Sequence, residues 1–239
     1  ENISFTYPDT GIQALKNINF RLKENETLGI FGKTGSGKST IANLMCRLYD
    51  SSEGDISFGE KDIRELNLSD LRQNIGYVPQ DGFLFSGTVN ENISFGKDEF
   101  TEEEIKQSAR IAEIDDEIEN FPKKYETIIG ERGVQLSGGQ RQRISIARAI
   151  FINPPIFIFD DSLSAIDANK EQKILKNLKN KTENNTNIII SHRTSSLKNA
   201  HHIIVLDDGS ISEEGTHNDL IQKNGFYAQM HKKQTTENL

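Results

Sequence analysis

A glycine-rich loop gives the strongest chemical signal in this 239-residue sequence. It runs from Gly32 to Ser39 (GKTGSGKS), between a short apolar segment, LGIF, and a segment with the apolar spacing of a helix. Glycines let successive backbone N–H groups turn toward one anion, and the positive end of the following helix adds to the attraction. We therefore predict that the loop binds nucleotide phosphates, with Lys38 at the β- and γ-phosphates and the Ser39 hydroxyl on Mg²⁺.

Three polar residues follow apolar segments that have the character of strands. Asp160 ends IFIF, Gln80 follows IGYVP, and His192 follows NIII. Because α/β folds place ligands at the carboxyl ends of parallel strands, these side chains are expected at the edge that carries the loop, with Asp160 facing the metal. Gln80 and His192 could instead be structural residues whose hydrogen bonds are satisfied within the protein. Their position at strand ends disfavours this alternative only modestly. The alternative role for Asp160, as the N-cap of the next helix, fits Ser162 or Ser164 better than it fits Asp160.

A second glycine pair lies at Leu136–Gln140 (LSGGQ), where a helix with the sequence RQRISIARAI begins. Two glycines at a helix start allow close approach of a phosphate, and the Ser137 hydroxyl can donate a hydrogen bond. Taken alone, the same residues are equally typical of a capped turn.

The composition limits the classes of protein to which the chain can belong. Hydrophobic residues make up 34% of the sequence, enough for a core at this length, and the net charge of −8 argues against general nucleic-acid binding. The single cysteine, Cys46, excludes an internal disulfide and a multi-cysteine zinc site, and it is expected to pack on a helix. No apolar stretch reaches the length of a bilayer, so the chain is expected to be soluble. The absence of an initiator Met suggests a fragment of a longer protein.

The elements that must position these motifs change along the chain. Alternating segments such as ISFTY at residues 3–7 and LKNINFRL at 15–22 predict strands, whereas residues 90–152 are mostly helical. We predict an α/β P-loop NTPase core with an antiparallel β subdomain, at 1–80 and 153–239, and an inserted helical subdomain with LSGGQ at 81–152. The acidic stretch at 113–119 is expected to form a solvated helix face without function. The polar tail beyond Gln229 is expected to fray.

The order of the motifs resembles the nucleotide-binding domain of ATP-binding cassette (ABC) transporters. The chain has the P-loop, Gln80, LSGGQ, Asp160, the stretch Ser164–Asp167 (SAID) and His192, in the order and spacing of that family. The resemblance covers the whole chain. It implies that two such domains pair head to tail, with ATP held between one P-loop and the LSGGQ of the partner.

The resemblance also implies roles for individual residues, with ATP and Mg²⁺ as cofactors. Tyr7 would stack on adenine, although a half-buried strand aromatic is the alternative. The residues assigned to ATP are Tyr7, Gly32, Lys33, Thr34, Gly35, Ser36, Gly37, Lys38, Ser39 and Thr40. Those assigned to the partner's ATP are Ser137, Gly138, Gly139 and Gln140. Those assigned to the metal are Ser39, Gln80 and Asp160. Asp167 is assigned to the dimer interface, and the residues assigned to catalysis are Asp161, His192, Gln80 and Lys38.

Two further segments resemble the exporter branch of the family. They are SGTVNENI at residues 86–93 and GERG at 130–133, which in exporters face the coupling helices of the membrane domain. This resemblance implies a transmembrane domain in the same full-length chain, ahead of Glu1, and a location at the cytoplasmic face of the cell membrane. Drug, lipid and peptide cargoes all stay open.

Asp161 departs from the family's pattern, which has Glu at this position to polarise the attacking water. Loss of one methylene withdraws the carboxylate by about 1.5 Å, and a displacement of about 1 Å can lower a rate on the order of a hundredfold. We therefore predict strong ATP binding but slow hydrolysis.

Together with the intact LSGGQ, the change at Asp161 favours the degenerate-site subunit of a heterodimeric exporter. In that arrangement the LSGGQ completes a competent site on a different subunit. A homodimer with a sufficient Asp base is the alternative. A soluble ABC ATPase is disfavoured because coiled-coil insertions and a second cassette are missing. A P-loop kinase of small molecules is disfavoured because it would leave LSGGQ and His192 without a role.

Overall fold

A computed structural model describes residues 1–95, 97, 99–130, 133–182 and 184–237. The chain forms two compact units. The first unit comprises Glu1–Ile75 and Thr186–Leu239, and the second unit comprises Gly76–Asn185. The helical subdomain proposed for residues 81–152 lies within the second unit, and its boundaries stay a prediction. Glu131 and Arg132, in the middle of the expected exporter segment GERG, lie outside the described residues.

The elements alternate between strands and helices along most of the chain. The strands are β1 (Ile3–Thr6), β2 (Gln13–Ile18), β3 (Thr27–Gly32), β4 (Ser57–Phe58), β5 (Lys61–Asp62), β6 (Ile75–Val78), β7 (Gly87–Thr88), β8 (Ile128–Ile129), β9 (Ile156–Asp160), β10 (Thr186–Ser191), β11 (His202–Asp207) and β12 (Ser210–Gly215). The α-helices are α1 (Lys38–Met45), α2 (Leu68–Gln73), α3 (Val89–Ser94), α4 (Glu102–Ile111), α5 (Asp115–Glu119), α6 (Gly138–Ile152), α7 (Ala168–Lys181), α8 (Thr194–Leu197), α9 (His217–Lys223) and α10 (Phe226–Glu237). Short 3₁₀ turns lie at Ile63–Glu65 and Lys124–Glu126.

The sheet of the first unit has the strand order β12–β11–β3–β10. Strand β3 is parallel to both neighbours, with Phe31 beside Ser191 of β10 and Gly32 beside Leu206 of β11. The glycine-rich loop after β3 and His192 after β10 therefore leave adjacent strands at the same edge of this sheet.

An antiparallel ribbon of β1 and β2 also belongs to the first unit. Ile3 and Phe5 are buried, which confirms the alternation over residues 3–7, whereas Leu15 and Ile18 are both buried three residues apart, so the alternation expected over 15–22 is interrupted. The second strand ends at Ile18 rather than at residue 22. Asn17 has a φ of +50°, a left-handed conformation that bends the chain out of the extended state.

In the second unit, β6 and β9 are hydrogen-bonded neighbours. The two helices predicted from capping signals are present. Thr101 caps α4 and Ser137 caps α6, each with a reciprocal bond from the third helical residue. Helix α6 ends at Asn153, which has a φ of +51° and precedes two prolines that cannot continue a helix.

The C-terminal residues do not fray up to the end of the described chain, and the expectation for the tail was wrong. Residues 226–237 form α10, whose Tyr227 is fully buried. The Tyr227 ring lies 5.1 Å from that of Phe31 in an edge-on arrangement, and Met230 packs on the same core. These apolar side chains anchor a segment that otherwise reads as polar. Cys46 is buried, as predicted.

None of the helices in the described ranges is long and apolar enough to cross a membrane.

Candidate functional site

The glycine-rich loop adopts a conformation that requires glycine. Gly35 and Gly37 have φ values of +82° and +99°, which other residues rarely adopt. A Cβ at Gly37 would lie 2.6 Å from the Ala14 carbonyl oxygen and 2.8 Å from the Leu15 side chain. Gly37 is also the residue before α1, and it has no side chain with which to cap the helix.

Lys38 lies across the base of the loop. Its ammonium donates to the carbonyl oxygens of Gly32 at 2.8 Å and Lys33 at 2.7 Å, and the residue is buried. A buried cation at the positive end of a helix attracts an anion strongly. This geometry is that of a phosphate site.

Ser36 gives an independent indication that a polar ligand belongs in the loop. Its hydroxyl oxygen is buried and has no hydrogen-bond partner within the part of the chain that the structure describes. Buried polar atoms are almost always paired, so an orphan at a binding loop points to a missing partner. The exposed Lys33, Thr34, Gly35 and Ser39 line the open side of the loop. These residues fit a triphosphate.

Tyr7 lies just after β1 and is half-buried. Its hydroxyl shares a hydrogen bond of 3.0 Å with Thr40 of α1, and its ring packs edge-on against Phe5 and Tyr49. The structure thus holds Tyr7 beside the helix that follows the loop. Stacking of this ring on adenine stays a prediction.

His192 also belongs to the first unit, where it is exposed and directly follows β10. Its position at the same edge as the glycine-rich loop agrees with the expectation from strand order. Its contact with a γ-phosphate stays a prediction.

The second unit holds the remaining residues that were assigned to the metal and to catalysis. Asp160 is 2% exposed at the end of β9 and accepts a hydrogen bond of 3.2 Å from the Tyr77 hydroxyl. Gln80 is exposed shortly after β6. The Asp160 carboxylate and the Gln80 side-chain oxygen are hard oxygen donors, which is the ligand chemistry of Mg²⁺, and their contact with a metal stays a prediction.

Asp161 is half-buried, and its backbone is left-handed with a φ of +46°. The Ser164 hydroxyl and N–H donate to the Asp161 carbonyl oxygen at 2.7 and 3.2 Å. These bonds fix the turn that directs the Asp161 side chain.

Asp167 has a local role that the sequence analysis did not assign to it. It is the N-cap of α7, and its carboxylate accepts from the Lys170 N–H at 3.0 Å. Neither Asp160 nor Ser162 or Ser164 is the N-cap, because the turn after β9 delays the helix start until Ala168. Asp167 is exposed, and its place at a dimer interface stays a prediction.

The LSGGQ segment forms a complete capping box. The Ser137 hydroxyl oxygen accepts from the Gln140 N–H at 3.2 Å, and the Ser137 N–H donates to the Gln140 side-chain oxygen at 2.8 Å. Ser137 and Gly138 are exposed, so the hydroxyl hydrogen and the helix start face outward. A Cβ at Gly139 would lie 3.0 Å from the Ala165 carbonyl oxygen, so the glycine allows close packing with the SAID stretch.

The Gln140 side chain is directed inward by Glu117. The amide nitrogen donates to Glu117 at 2.9 Å, and Arg143 donates to the two Glu117 oxygens at 2.8 and 3.1 Å. Lys170 is a third charged or polar partner. Burial alone would raise the pKa of Glu117, but these three donors outweigh it and lower the pKa to about 2.

Glu117 corrects the expectation that the acidic stretch at 113–119 is only a solvated helix face. It joins α5 to α6 and α7, and the partners lie 23, 26 and 53 residues away in the chain. No local pattern identifies such a partner set. Gln140 therefore holds the LSGGQ turn in place, and its assigned contact with the partner's ATP stays a prediction.

We predict that Glu117→Gln destabilises the chain by roughly 2 kcal/mol at neutral pH, because the buried Arg143 loses its carboxylate and the site is partly screened by solvent. Since the folded pKa of Glu117 is lowered, its stabilisation is present above the ordinary value of 4.5 and is lost as pH falls toward about 2. Urea unfolding of both proteins across this pH range measures the difference.

The matched control is Glu103→Gln, which removes an exposed ion pair with Arg110 in the same unit. It should change the free energy of unfolding by less than about 0.5 kcal/mol. A Glu117→Gln variant as stable as this control at neutral pH would contradict the structural role of Glu117.

Comparison with protein families gives one matching model, described as ABC transporter, over residues 15–164. Similar proteins include the probable multidrug resistance ABC transporter ATP-binding/permease protein YheI of Bacillus subtilis (strain 168), 46% identical over 233 residues. The ATP-dependent lipid A-core flippase of Escherichia coli (strain K12) is 44% identical over 234 residues. Each alignment covers 98% of this chain and 40% of the relative, so the chain spans about 40% of the length of these proteins.

Among solved structures, the chain matches that of a bacterial Atm1-family ABC exporter with ATP bound. The TM-score is 0.94 at 40% sequence identity, over 98% of this chain and 41% of the exporter chain. The expected P-loop NTPase fold, a mixed α/β architecture, is confirmed.

Proposed function

Because this chain belongs to the ATP-binding domains of ABC transporters of the exporter type, we propose that it binds and hydrolyses ATP to power export across a membrane. The observation that carries the proposal is the glycine-rich loop, with the buried Lys38 ammonium and the orphaned Ser36 hydroxyl beside the start of α1. The multidrug and lipid A-core names of the relatives leave the cargo open.

In this proposal the phosphates bind the loop through its N–H groups, Lys38 and Ser39. Mg²⁺ is held by Ser39, Gln80 and Asp160, and when bound it offsets negative charge on the phosphate oxygens. The loop residues and Lys38 would orient the γ-phosphate. His192 contacts the γ-phosphate, and Tyr7 stacks on adenine. The exposed Ser137 hydroxyl and the Gly138–Gly139 backbone are available to a nucleotide held by a second domain.

Lys38→Ala tests the phosphate site. The variant loses a charge-assisted bond of about 1.5–3 kcal/mol, so its ATP affinity should fall about tenfold to a hundredfold. Titration calorimetry with Mg-ATP measures the dissociation constant. Lys61→Ala, which removes an exposed lysine of the same unit, should bind as the parent does. Equal affinity in the parent and in Lys38→Ala would contradict the assignment of the loop.

Asp161 supports a finer proposal, in which this chain is the degenerate-site subunit of a heterodimeric exporter. The site holds ATP through Lys38 and the loop, but the shortened carboxylate activates water poorly. The capped LSGGQ turn is intact and completes the site of a partner that carries Glu. A homodimer in which Asp161 is a sufficient base is the second candidate, because the same loop and LSGGQ serve two identical chains equally well.

Asp161→Glu separates these two candidates. Restoring the methylene advances the carboxylate by about 1.5 Å, so the steady-state rate of Mg-ATP hydrolysis should rise about tenfold or more at high protein concentration. Asp116→Glu, the same change at an exposed residue of the second unit, should leave the rate unchanged. Comparable turnover in the parent and Asp161→Glu would favour the homodimer.

An exposed aromatic patch on the second unit supports a membrane-domain partner. Phe83, Phe85 and Phe95 form this patch, with exposed fractions of 62%, 39% and 50%. Their rings pack on one another, and the Arg148 guanidinium lies 5.3 Å from the centre of Phe85. Burial lowers the pKa of Arg148 to about 10. Exposed clusters of this kind mark binding surfaces.

The aromatic patch flanks residues 86–93, the segment that resembles the coupling-helix contact of exporters. Arg148 also donates to the carbonyl oxygens of Asn92 at 2.7 Å and Phe83 at 3.0 Å, so it holds the segment and the patch together. We therefore assign the patch to the coupling helices of the transmembrane domain in the full-length polypeptide.

Phe83→Ser tests this assignment. In the full-length polypeptide that carries this chain, transport should fall about tenfold or more, because an aromatic anchor is lost from the contact. ATP binding by the isolated chain should be unchanged. Leu68→Ser, at an exposed apolar residue of the first unit, is the control. Equal transport by both variants would contradict the assignment of the aromatic patch to the coupling helices.

A further inference from the structure

The C-terminal helix α10 is hydrogen-bonded to the backbone on both sides of Arg193, directly after His192. The Gln234 amide nitrogen donates to the His192 carbonyl oxygen at 2.7 Å, and its side-chain oxygen accepts from the Thr194 N–H at 2.9 Å. One planar amide thus bridges an acceptor and a donor two residues apart. An amide engaged at both ends has a single orientation, so it fixes the backbone that it holds.

Helix α8 depends on this external amide for its N-terminal cap. The helix begins at Thr194, and the preceding residue is Arg193, whose side chain has only donors and cannot accept from a backbone N–H. The Thr194 N–H is buried, and an unsatisfied N–H there would be costly. Gln234 supplies the acceptor from a helix 40 residues further along the chain.

Additional bonds from α10 hold the same residue. The Thr194 hydroxyl interacts with His231 at 2.9 Å and donates to the Gln234 oxygen at 3.0 Å. The buried Tyr227 hydroxyl donates to the Thr194 carbonyl oxygen at 3.4 Å. Thr194 is therefore held at its N–H, hydroxyl and carbonyl by side chains of one helix.

The other end of α10 packs on the strand that leads into the glycine-rich loop. Tyr227 and Phe226 contact the ring of Phe31, the residue before Gly32. The Lys33 ammonium of the loop lies 4.8 Å from the centre of the Phe226 ring, a cation–π contact. The helix thus contacts the loop at its first turn and the His192 segment at its last.

We propose that Gln234 is the positioning residue for His192, and that α10 sets the location of the His192 imidazole relative to the glycine-rich loop. This proposal rests on the proposed function, in which His192 contacts the γ-phosphate. The bonds from Gln234 act on the His192 carbonyl and on the Thr194 N–H, and therefore on the backbone that carries the imidazole.

Gln234→Ala removes the three bonds that join Gln234 to His192 and Thr194, and it leaves the buried Tyr227 anchor in place. Since displacements of about 1 Å can lower a rate about a hundredfold, we expect kcat for Mg-ATP to fall about tenfold with KM within about twofold. Gln234→Glu keeps an acceptor for the Thr194 N–H but sets a carboxylate against the His192 carbonyl oxygen. Its kcat should fall by a similar factor. Thr235→Ala, whose hydroxyl bonds the His231 carbonyl within α10, should behave as the parent.

A double-mutant cycle distinguishes positioning from a general structural role. In a His192→Ala background, Gln234→Ala should change kcat by less than about twofold, because the residue through which it acts is gone. An equal loss in both backgrounds would overturn the proposal. So would a full parental rate in Gln234→Ala.

Amide hydrogen exchange gives a readout that does not depend on activity. In Gln234→Ala the Thr194 N–H should exchange about tenfold faster than in the parent, while the buried N–H of Ile190 in β10 keeps its protection. Unchanged exchange at Thr194 would also overturn the proposal. If Thr194 exchanges faster in Gln234→Ala as expected but the parent does not bind Mg-ATP, the proposed function is contradicted and the bonding role of Gln234 is not.

Discussion

The first unit is built around the close approach of backbone to backbone at the glycine-rich loop. Gly37 and Gly209 both face the Ala14 carbonyl oxygen, where a Cβ would come within 2.6 and 2.7 Å. The Lys16 N–H also donates to the Gly209 carbonyl oxygen at 2.8 Å. The loop and the β11–β12 turn therefore both pack against the β1–β2 ribbon at Ala14. Its N–H groups can converge on an anion only because neighbouring backbone, rather than side chains, supports them.

Helix starts carry much of the proposed chemistry in both units. Ser137 is at once the cap of α6 and an exposed hydroxyl donor, and Asp167 caps α7. A residue that satisfies its own helix cannot move far without a cost of about 1 kcal/mol. Residues assigned to ligand contact are thus held by the same bonds that define the secondary structure. The exception is His192, whose segment depends on a distant helix.

The sequence was sufficient to predict those features of the fold and of the candidate site that depend on local contacts. The turn glycines, the capping boxes at Thr101 and Ser137, and the apolar strands β3, β9 and β10 follow from neighbours within a few residues. Glu117 and Gln234 could not be found in this way, because their partners lie 23 to 53 residues away. The order in the C-terminal tail depends on Tyr227, whose burial requires Phe31 and the rest of the core. A side-chain amide that bonds to backbone groups far away in the chain produces no periodic pattern in the sequence.

The left-handed backbone at Asp161 has a consequence for how this position can change in evolution. A φ of +46° is strained for most side chains, but aspartate tolerates it better than glutamate because its short carboxylate can bond locally. The shorter acid therefore suits the left-handed turn after β9, and in the proposed function it also shortens the reach of the carboxylate toward water. In a subunit relieved of turnover, selection for stability alone would retain it. One residue would then both stabilise the turn and lower the activity, which is a stability–activity trade-off at a single position.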